Sequence, residues 1–211
     1  MNESRKHGLL RLRLLDEHAE AVAETMAEER CRFDRLANKE SAPRVVSSFN
    51  LFQTPEPLAN MLASLFVEFG RVLEPSAGLG RLYRAVRKRS ACHVTMVEQA
   101  AECCGELYTI TNGDPETRLV QADFLTCTKE SLGLFDSVIM NPPFKMGRDV
   151  KHITHAATLL APGGRLVSVC ANGPRQRQHL KPIASRWIDL PAGSFKESYT
   201  NVETAVVIID N

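Results

Sequence analysis

"RVLEPSAGLGRL", residues Arg71 to Leu82, is the stretch whose reading decides the fold. It runs from apolar, strand-forming residues through Gly78 and Gly80 into a helix that reaches Arg89. Glycines at such a bend let the backbone turn closely past a ligand before the helix begins. The same alternation continues downstream. "HVTMVE" reads as a second strand ending at Glu98, "RLVQADF" as a third ending at Asp123, and "FDSVIMN" as a fourth ending at Asn141. "GRLVSVCA" follows a Pro162–Gly164 turn as a fifth, and "TAVVIID" closes the chain. Upstream, "TPEPLANMLASLFVEF" opens with Thr54 as an expected N-cap and Pro55 at the first helical position. Nearly continuous apolar strands separated by helices are what a parallel sheet covered on both faces requires. The expected fold is therefore a doubly wound α/β sheet, with ligands at the carboxyl ends of its strands.

Length and composition set the bounds around that unit. A chain of 211 residues with 44% hydrophobic residues suits one domain with one core and a modest appendage. Residues 5–40 are dense in alternating charge with apolar residues at helix-compatible spacing, and Ser41–Asn50 reads as a linker. The expected division is a helical N-terminal extension over 1–45 and an α/β domain over 46–211. The extension reads either as a solvated arm or as an arm that docks a partner or touches nucleic acid. A formal charge of +1 announces no polyanion partner for the molecule as a whole, although local patches can still serve one. Six scattered cysteines without a C-x-x-C pair, and no secretory leader, point to a reduced, cytoplasmic protein. No apolar run approaches the roughly 18 residues of a membrane span.

Four strands end in, or just before, a polar residue: Glu74, Glu98, Asp123 and Asn141. In this fold those ends meet in one crevice. Glu98 lies 24 positions after Glu74, about the distance at which an acidic side chain takes both ribose hydroxyls. A dinucleotide reading of the turn would need a third glycine where Tyr83 stands, and a pyrophosphate would sit badly beside Glu74. A carboxylate there suits a cofactor with a cationic head, such as the amino group and sulfonium of S-adenosylmethionine. No Walker phosphate loop is present. Each acid taken singly is also readable as a cap on the next helix.

The ordered set Glu-Pro-x-x-Gly-x-Gly, Glu98, Asp123 and Asn141-Pro-Pro-Phe resembles the class I S-adenosylmethionine-dependent methyltransferases, and among them the amino-methylating nucleic-acid enzymes. The resemblance spans Phe49 to Ile209. "FQTPEPLA" looks like motif ten of that family, "VLEPSAGLG" like motif one, "MVE" like motif two, "ADF" like motif three and "NPPF" like motif four. It implies a Rossmann-like, seven-stranded, mostly parallel sheet with helices on both faces. It also implies that Thr54 contacts the methionine end of the cofactor, with Glu74 nearby, and that the backbone from Ala77 through Gly78 to Gly80 lines its path. Glu98 would bind the ribose. Asp123 would accept from the adenine amine, with Phe124 beside the ring. Glu74 stands where an aspartate is common in the family.

The "NPPF" sequence, Asn141, Pro142, Pro143 and Phe144, then carries the chemistry. The Asn141 side-chain oxygen and the Pro142 carbonyl would accept the two N–H groups of an exocyclic amine and aim its lone pair at the methyl. Phe144 would stack on the target ring. A duplex substrate would need its nucleotide flipped out, and Phe195 of "AGSFKES", resembling the motif-eight aromatic, would support it from the other side; the alternative is a core phenylalanine at a strand edge. Lys145, Arg148, Arg175, Arg177, His179 and Lys181 are candidates for phosphate contact on the same rim. Arg84, Arg87, Lys88 and Arg89 more simply complement a helix dipole. His152 and His155 stand i, i+3 without a third ligand, so no metal is expected.

The motif order ten, one, four, eight resembles the gamma group of DNA adenine methyltransferases, in which a target-recognition domain follows. The first expectation is therefore an adenine-N6 DNA methyltransferase of restriction-modification type, non-specific, reading a short site, or relying on a specificity subunit or a homodimer. RNA methylation at guanine N2 or adenine N6 is the alternative substrate class. A non-catalytic cofactor-binding subunit is the alternative without activity.

Overall fold

The computed structural model describes residues 53–195 and 202–211; the expected helical extension at 1–45 and its linker lie outside them. The sheet is organised around β1 (Val72–Pro75), whose four residues are all buried. A strand with no solvent face must have neighbours on both edges and cover on both faces, which explains the absence of polar alternation in its sequence. β1 pairs in parallel with β2 (Val94–Glu98) on one side and with β4 (Phe135–Met140) on the other. Beyond β2 lies β3 (Thr117–Gln121), and beyond β4 lies β5 (Leu160–Ala171), both parallel. β7 (Thr204–Asp210) then runs antiparallel to β5, with β6 (Arg186–Asp189) antiparallel at the edge. The full order is β3-β2-β1-β4-β5-β7-β6.

The chain winds outward from β1 in one direction through α2 (Arg81–Arg87) and α3 (Ala101–Thr111). It then returns to β4 through the short α4 (Lys129–Leu132) and winds the other way through α5 (Arg148–Ala157). Right-handed crossovers in opposite directions place their helices on opposite faces. The reversal between β1 and β4 is the topological switch point, where such sheets open a crevice. A core of Leu73, Phe135, Val138, Met140, Ile153 and Leu166, each essentially without exposed surface, fixes these strands beneath it.

Several details depart from the sequence reading. α1 (Glu56–Ser64) starts one residue after Pro55, which is itself the N-cap, and no side chain caps it. Thr54 thus stands one residue ahead of the cap position, and its hydroxyl instead accepts from Asn141 Nδ2. β3 stops at Gln121, and Asp123 instead caps a 3-10 turn by accepting from the Leu125 N–H at 3.1 Å. The Pro162–Gly164 segment is no turn before β5. It is a bulge within it, since Phe135 pairs with Leu160 while Ser137 pairs with Arg165. The short edge strand β6 carries no alternating or apolar signal in the sequence. α6 (Pro174–Leu180) precedes it.

The glycine turn is tight for a reason the packing shows. Gly80 takes φ +73, and a Cβ there would fall 2.4 Å from Ile110 Cδ1 and 2.9 Å from Leu107 Cδ2 of α3. Gly80→Ala should therefore cost at least the roughly 1–2 kcal/mol of left-handed backbone strain, since the atoms it would meet are side-chain tips that can shift. Urea unfolding of the variant would check this, and an unchanged midpoint would contradict it.

Candidate functional site

At the switch point the register Leu73↔Val138 sets Glu74 level with the last residues of β4, so Glu74 and Asn141 belong to adjacent strand ends. Glu74 is 1% exposed, and its Oε2 has no hydrogen-bond partner among the described residues. Burial pushes its pKa well up; the Tyr83 backbone N–H, in the first turn of α2, works against this, and the Glu98 charge adds to it. The sequence left open whether such an acid caps a helix or meets a ligand. One contact is with the helix, and the orphaned oxygen is what a cationic group would satisfy.

The turn itself is strung between two strands. Val97 O of β2 accepts from the N–H groups of both Ser76 (2.8 Å) and Ala77 (3.0 Å), and Glu98 Oε2 accepts from Gly78 N at 2.8 Å. The other Glu98 oxygen accepts from Gln99 N and Ala100 N. Glu98 thus fastens the start of α3 to the glycine turn, with half its carboxylate facing each. Ser76, Gly78 and Gly80 all have positive φ, of 78°, 55° and 73°. A serine in that region is strained, and such strain concentrates at ligand sites.

Asn141 lies just past β4 and donates from Nδ2 to Thr54 Oγ1 at 3.1 Å. That contact joins the segment before α1 to the "NPPF" loop and sets the plane of the amide, directing Oδ1 the other way. Pro142 is buried, while Pro143 and Phe144 are half-buried. Phe144 meets Phe195 edge to face, centroids 6.1 Å apart at 81°. Phe195 is 1% exposed. The two aromatic residues named for stacking are therefore neighbours, but as a touching pair rather than as parallel plates with a slot between them.

On the third strand's side, Asp123 lies 3.8 Å from Arg148, the first residue of α5. The Phe124 ring is buried, lying 5.7 Å from the ring of His152 and 4.9 Å from that of His155. The two histidines, grouped in the sequence only by spacing, are packing partners of this turn. No group of three potential metal ligands occurs among the described residues.

The basic rim divides. Arg175 is exposed and crosses close to the loop after Phe144, since a Cβ on Gly147 would fall 2.6 Å from its Nη1. Lys145 and Lys181 are exposed as well. Arg177, by contrast, pairs with Asp189 at 3.2 Å and lies over the Trp187 ring, which ties α6 to β6. Arg87 is likewise structural: it holds Asp114, the Cys92 carbonyl and Thr117. Lys88 pairs with Glu56.

A sheet of this order, with a glycine turn and a buried acid at its switch point, is the fold of the S-adenosylmethionine-dependent methyltransferases. The chain belongs to the methyltransferase small domain family, whose model matches residues 41–187. S-adenosylmethionine is the cofactor of that assignment, and the orphaned Glu74 oxygen fits its cationic head. No curated protein sequence matches the chain. Among solved structures it is similar to a putative RNA methyltransferase from Pyrococcus horikoshii, with a TM-score of 0.61 and 17% identity over 84% of this chain and 95% of that one. It is similar to TrmN from Thermus thermophilus, with a TM-score of 0.58 and 18% identity over 74% of this chain. It spans only 48% of TrmN. The N-methyltransferase NodS from Bradyrhizobium japonicum WM9 gives 0.56 and 15% over 74% of this chain and 93% of that one. At such identities the likeness is one of fold. No helix among the described residues is long and apolar enough to cross a membrane.

The raised pKa of Glu74 makes a signed prediction. The folded protein holds this proton more tightly than the unfolded chain does. The carboxyl therefore contributes stability below its ordinary 4.5 and loses it as pH rises through the higher folded value. At neutral pH it destabilises the ligand-free fold. Glu74→Gln should raise the melting temperature of the ligand-free protein by a few degrees, at about 2–4 °C per kcal/mol, while weakening S-adenosylmethionine binding. A lower melting temperature with unchanged cofactor affinity would make Glu74 a helix cap only.

Proposed function

We propose that this protein methylates an exocyclic amine of a nucleobase, with adenine N6 in DNA as the first substrate. The observation that carries this reading is the Asn141–Thr54 hydrogen bond at the switch point, because it orients the side-chain amide that an amine would meet. A base amine is a poor nucleophile, its lone pair being delocalised into the ring. Oδ1 of Asn141 and the carbonyl of Pro142 would accept its two N–H groups, which favours a more tetrahedral nitrogen with its lone pair free. Two adjacent prolines restrict the loop's φ angles and keep that carbonyl in place. Bound S-adenosylmethionine supplies the electrophilic methyl, on a sulfonium. No strong base is then needed, and holding the reactants in place can supply up to about 7–11 kcal/mol of the barrier.

Phe144, half-buried beside Asn141, is the ring on which the base would stack, at about 1–3 kcal/mol. Phe195 touches Phe144 edge to face, so it supports that ring from behind or swings aside to admit a base. A duplex substrate would need base flipping, at a few kcal/mol. Lys145, Arg175 and Lys181 are the exposed cations of the rim that would hold phosphates. The order of the motifs supports DNA. The likeness to a putative RNA methyltransferase over 95% of its length favours the second reading, an RNA amine at guanine N2 or adenine N6. A specificity subunit or a second copy of the chain would supply sequence recognition.

The test offers labelled S-adenosylmethionine with duplex DNA, single-stranded DNA or ribosomal RNA, and identifies the product nucleoside by mass spectrometry. N6-methyladenine in DNA, lost in Asn141→Ala at unchanged cofactor affinity, is the expected result. Label confined to RNA would replace the first reading with the second. Cofactor binding without transfer to any of the three would leave a non-catalytic subunit.

A further inference from the structure

His152 is 4% exposed on α5, and nothing in the chemistry above uses it. Its Nδ1 lies 3.2 Å from Ser76 Oγ, across 76 residues of sequence. Its Nε2 is buried with no hydrogen-bond partner among the described residues. Ser76 is the one residue of the glycine turn that holds a left-handed φ without being glycine. That conformation costs roughly 1–2 kcal/mol in any residue with a Cβ, and glycine would take it freely. What serine supplies and glycine does not is the hydroxyl, and the hydroxyl meets His152.

The ring stays neutral where a histidine ordinarily titrates. Burial takes its pKa down to about 4, with the Arg148 charge adding to this and Asp123 opposing. Either neutral tautomer can complete the contact, with the hydroxyl donating to Nδ1 or accepting from it. α5 also reaches the turn after β3, through the Phe124 ring and through His155 Nε2 at 2.8 Å from Cys127 O. It begins four residues after Phe144, so one helix grips both turns expected to line the cofactor and continues the loop expected to hold the amine.

We propose that His152 is a positioning residue of the cofactor site: by bonding Ser76 it holds the turn after β1 in its left-handed form and locks that turn to the helix leaving Asn141–Phe144. The inference rests on the cofactor occupying this crevice, and not on which nucleic acid is methylated.

Calorimetric titration with S-adenosylmethionine, without nucleic acid, tests it. His152→Phe keeps a ring against Phe124 and removes both nitrogens. Loss of one hydrogen bond should weaken cofactor binding about three- to tenfold. Ser76→Ala, which keeps the strain and removes the hydroxyl, should weaken it by the same factor. Ser76→Gly, which adopts the turn without help, should bind nearly as the parent does. The decisive variant is the double one: Ser76→Gly with His152→Phe should match Ser76→Gly alone. If His152→Phe weakens binding equally in the glycine background, its effect does not pass through Ser76 and the inference falls. If His152→Phe does not fold, the Ser76 pair decides, and equal losses in Ser76→Ala and Ser76→Gly overturn it. A parent protein that binds no S-adenosylmethionine would instead overturn the cofactor assignment, which separates the two failures.

Discussion

A carboxyl group at the end of β1, sealed from water with one oxygen unbonded, is the constraint from which the rest of this site follows. The charge that acts on Glu74 is that of another acid, Glu98, which disfavours its ionised form further. Moving such a group out of water is costly unless something pairs with it. A fold optimised for its own stability would place an apolar residue here, as it does at Val72 and Leu73 on the same strand. The acid is retained at a stability cost, which is the usual signature of a group that meets its partner only when a ligand arrives. Its surroundings are the glycine turn, which follows it directly, the end of β2, whose Glu98 bonds that turn, and the loop after β4, which on the proposed reading holds the amine.

Those surroundings are joined to one another more closely than the separate motifs suggest. Glu98 of β2 grips the turn after β1, Thr54 ahead of α1 grips the loop after β4, and α5 grips the turns after β1 and β3. None of these contacts is between residues near in sequence. Each uses a side-chain polar atom to tie one strand-end turn to another element, so the elements that line the crevice are also held together by these bonds. This arrangement gives a rigid frame at the strand ends with little dedicated scaffolding. It also means that a change in one motif is felt in its neighbour.

The parallel centre of the sheet was legible because strands covered on both faces are mostly apolar without alternation, as in Val72–Leu73, Met96–Val97 and Val138–Met140, with the polar exceptions Glu74 and Glu98 at or near the strand ends. Gly78 and Gly80 were legible because few other residues take their backbone angles. β6 was not: four residues, half-buried at an edge and bracketed by Arg186 and Asp189, carry no periodic signal. The Pro162–Gly164 bulge reads as a turn locally, and only the pairing of Phe135 and Ser137 with β5 reveals it. Thr54 looked like a helix cap because its neighbours are those of a cap; its actual partner is 87 residues away. His152 and His155 share a helix face, which the sequence shows, but what that face meets is decided by tertiary packing.

The rim constrains how a nucleic acid can be held on the proposed reading. Arg177 is committed to Asp189 and Trp187, and Arg148 lies near Asp123, so of the rim cations Lys145 and Arg175 remain exposed close to the loop, with Lys181 exposed just past the end of α6. Each phosphate neutralised contributes a salt dependence of about 0.7–0.9 in the logarithmic slope, so three contacts give a modest electrostatic term beside that of a sequence-specific DNA-binding protein with six to ten. Affinity must then come largely from the pocket, through stacking on Phe144 and the two acceptors on the amine. A pocket that carries most of the binding favours a base already outside a duplex, because there the unstacking cost is least. Single-stranded DNA or an unpaired RNA nucleotide fits that balance better than an intact duplex does, unless a partner supplies the missing grip on the backbone.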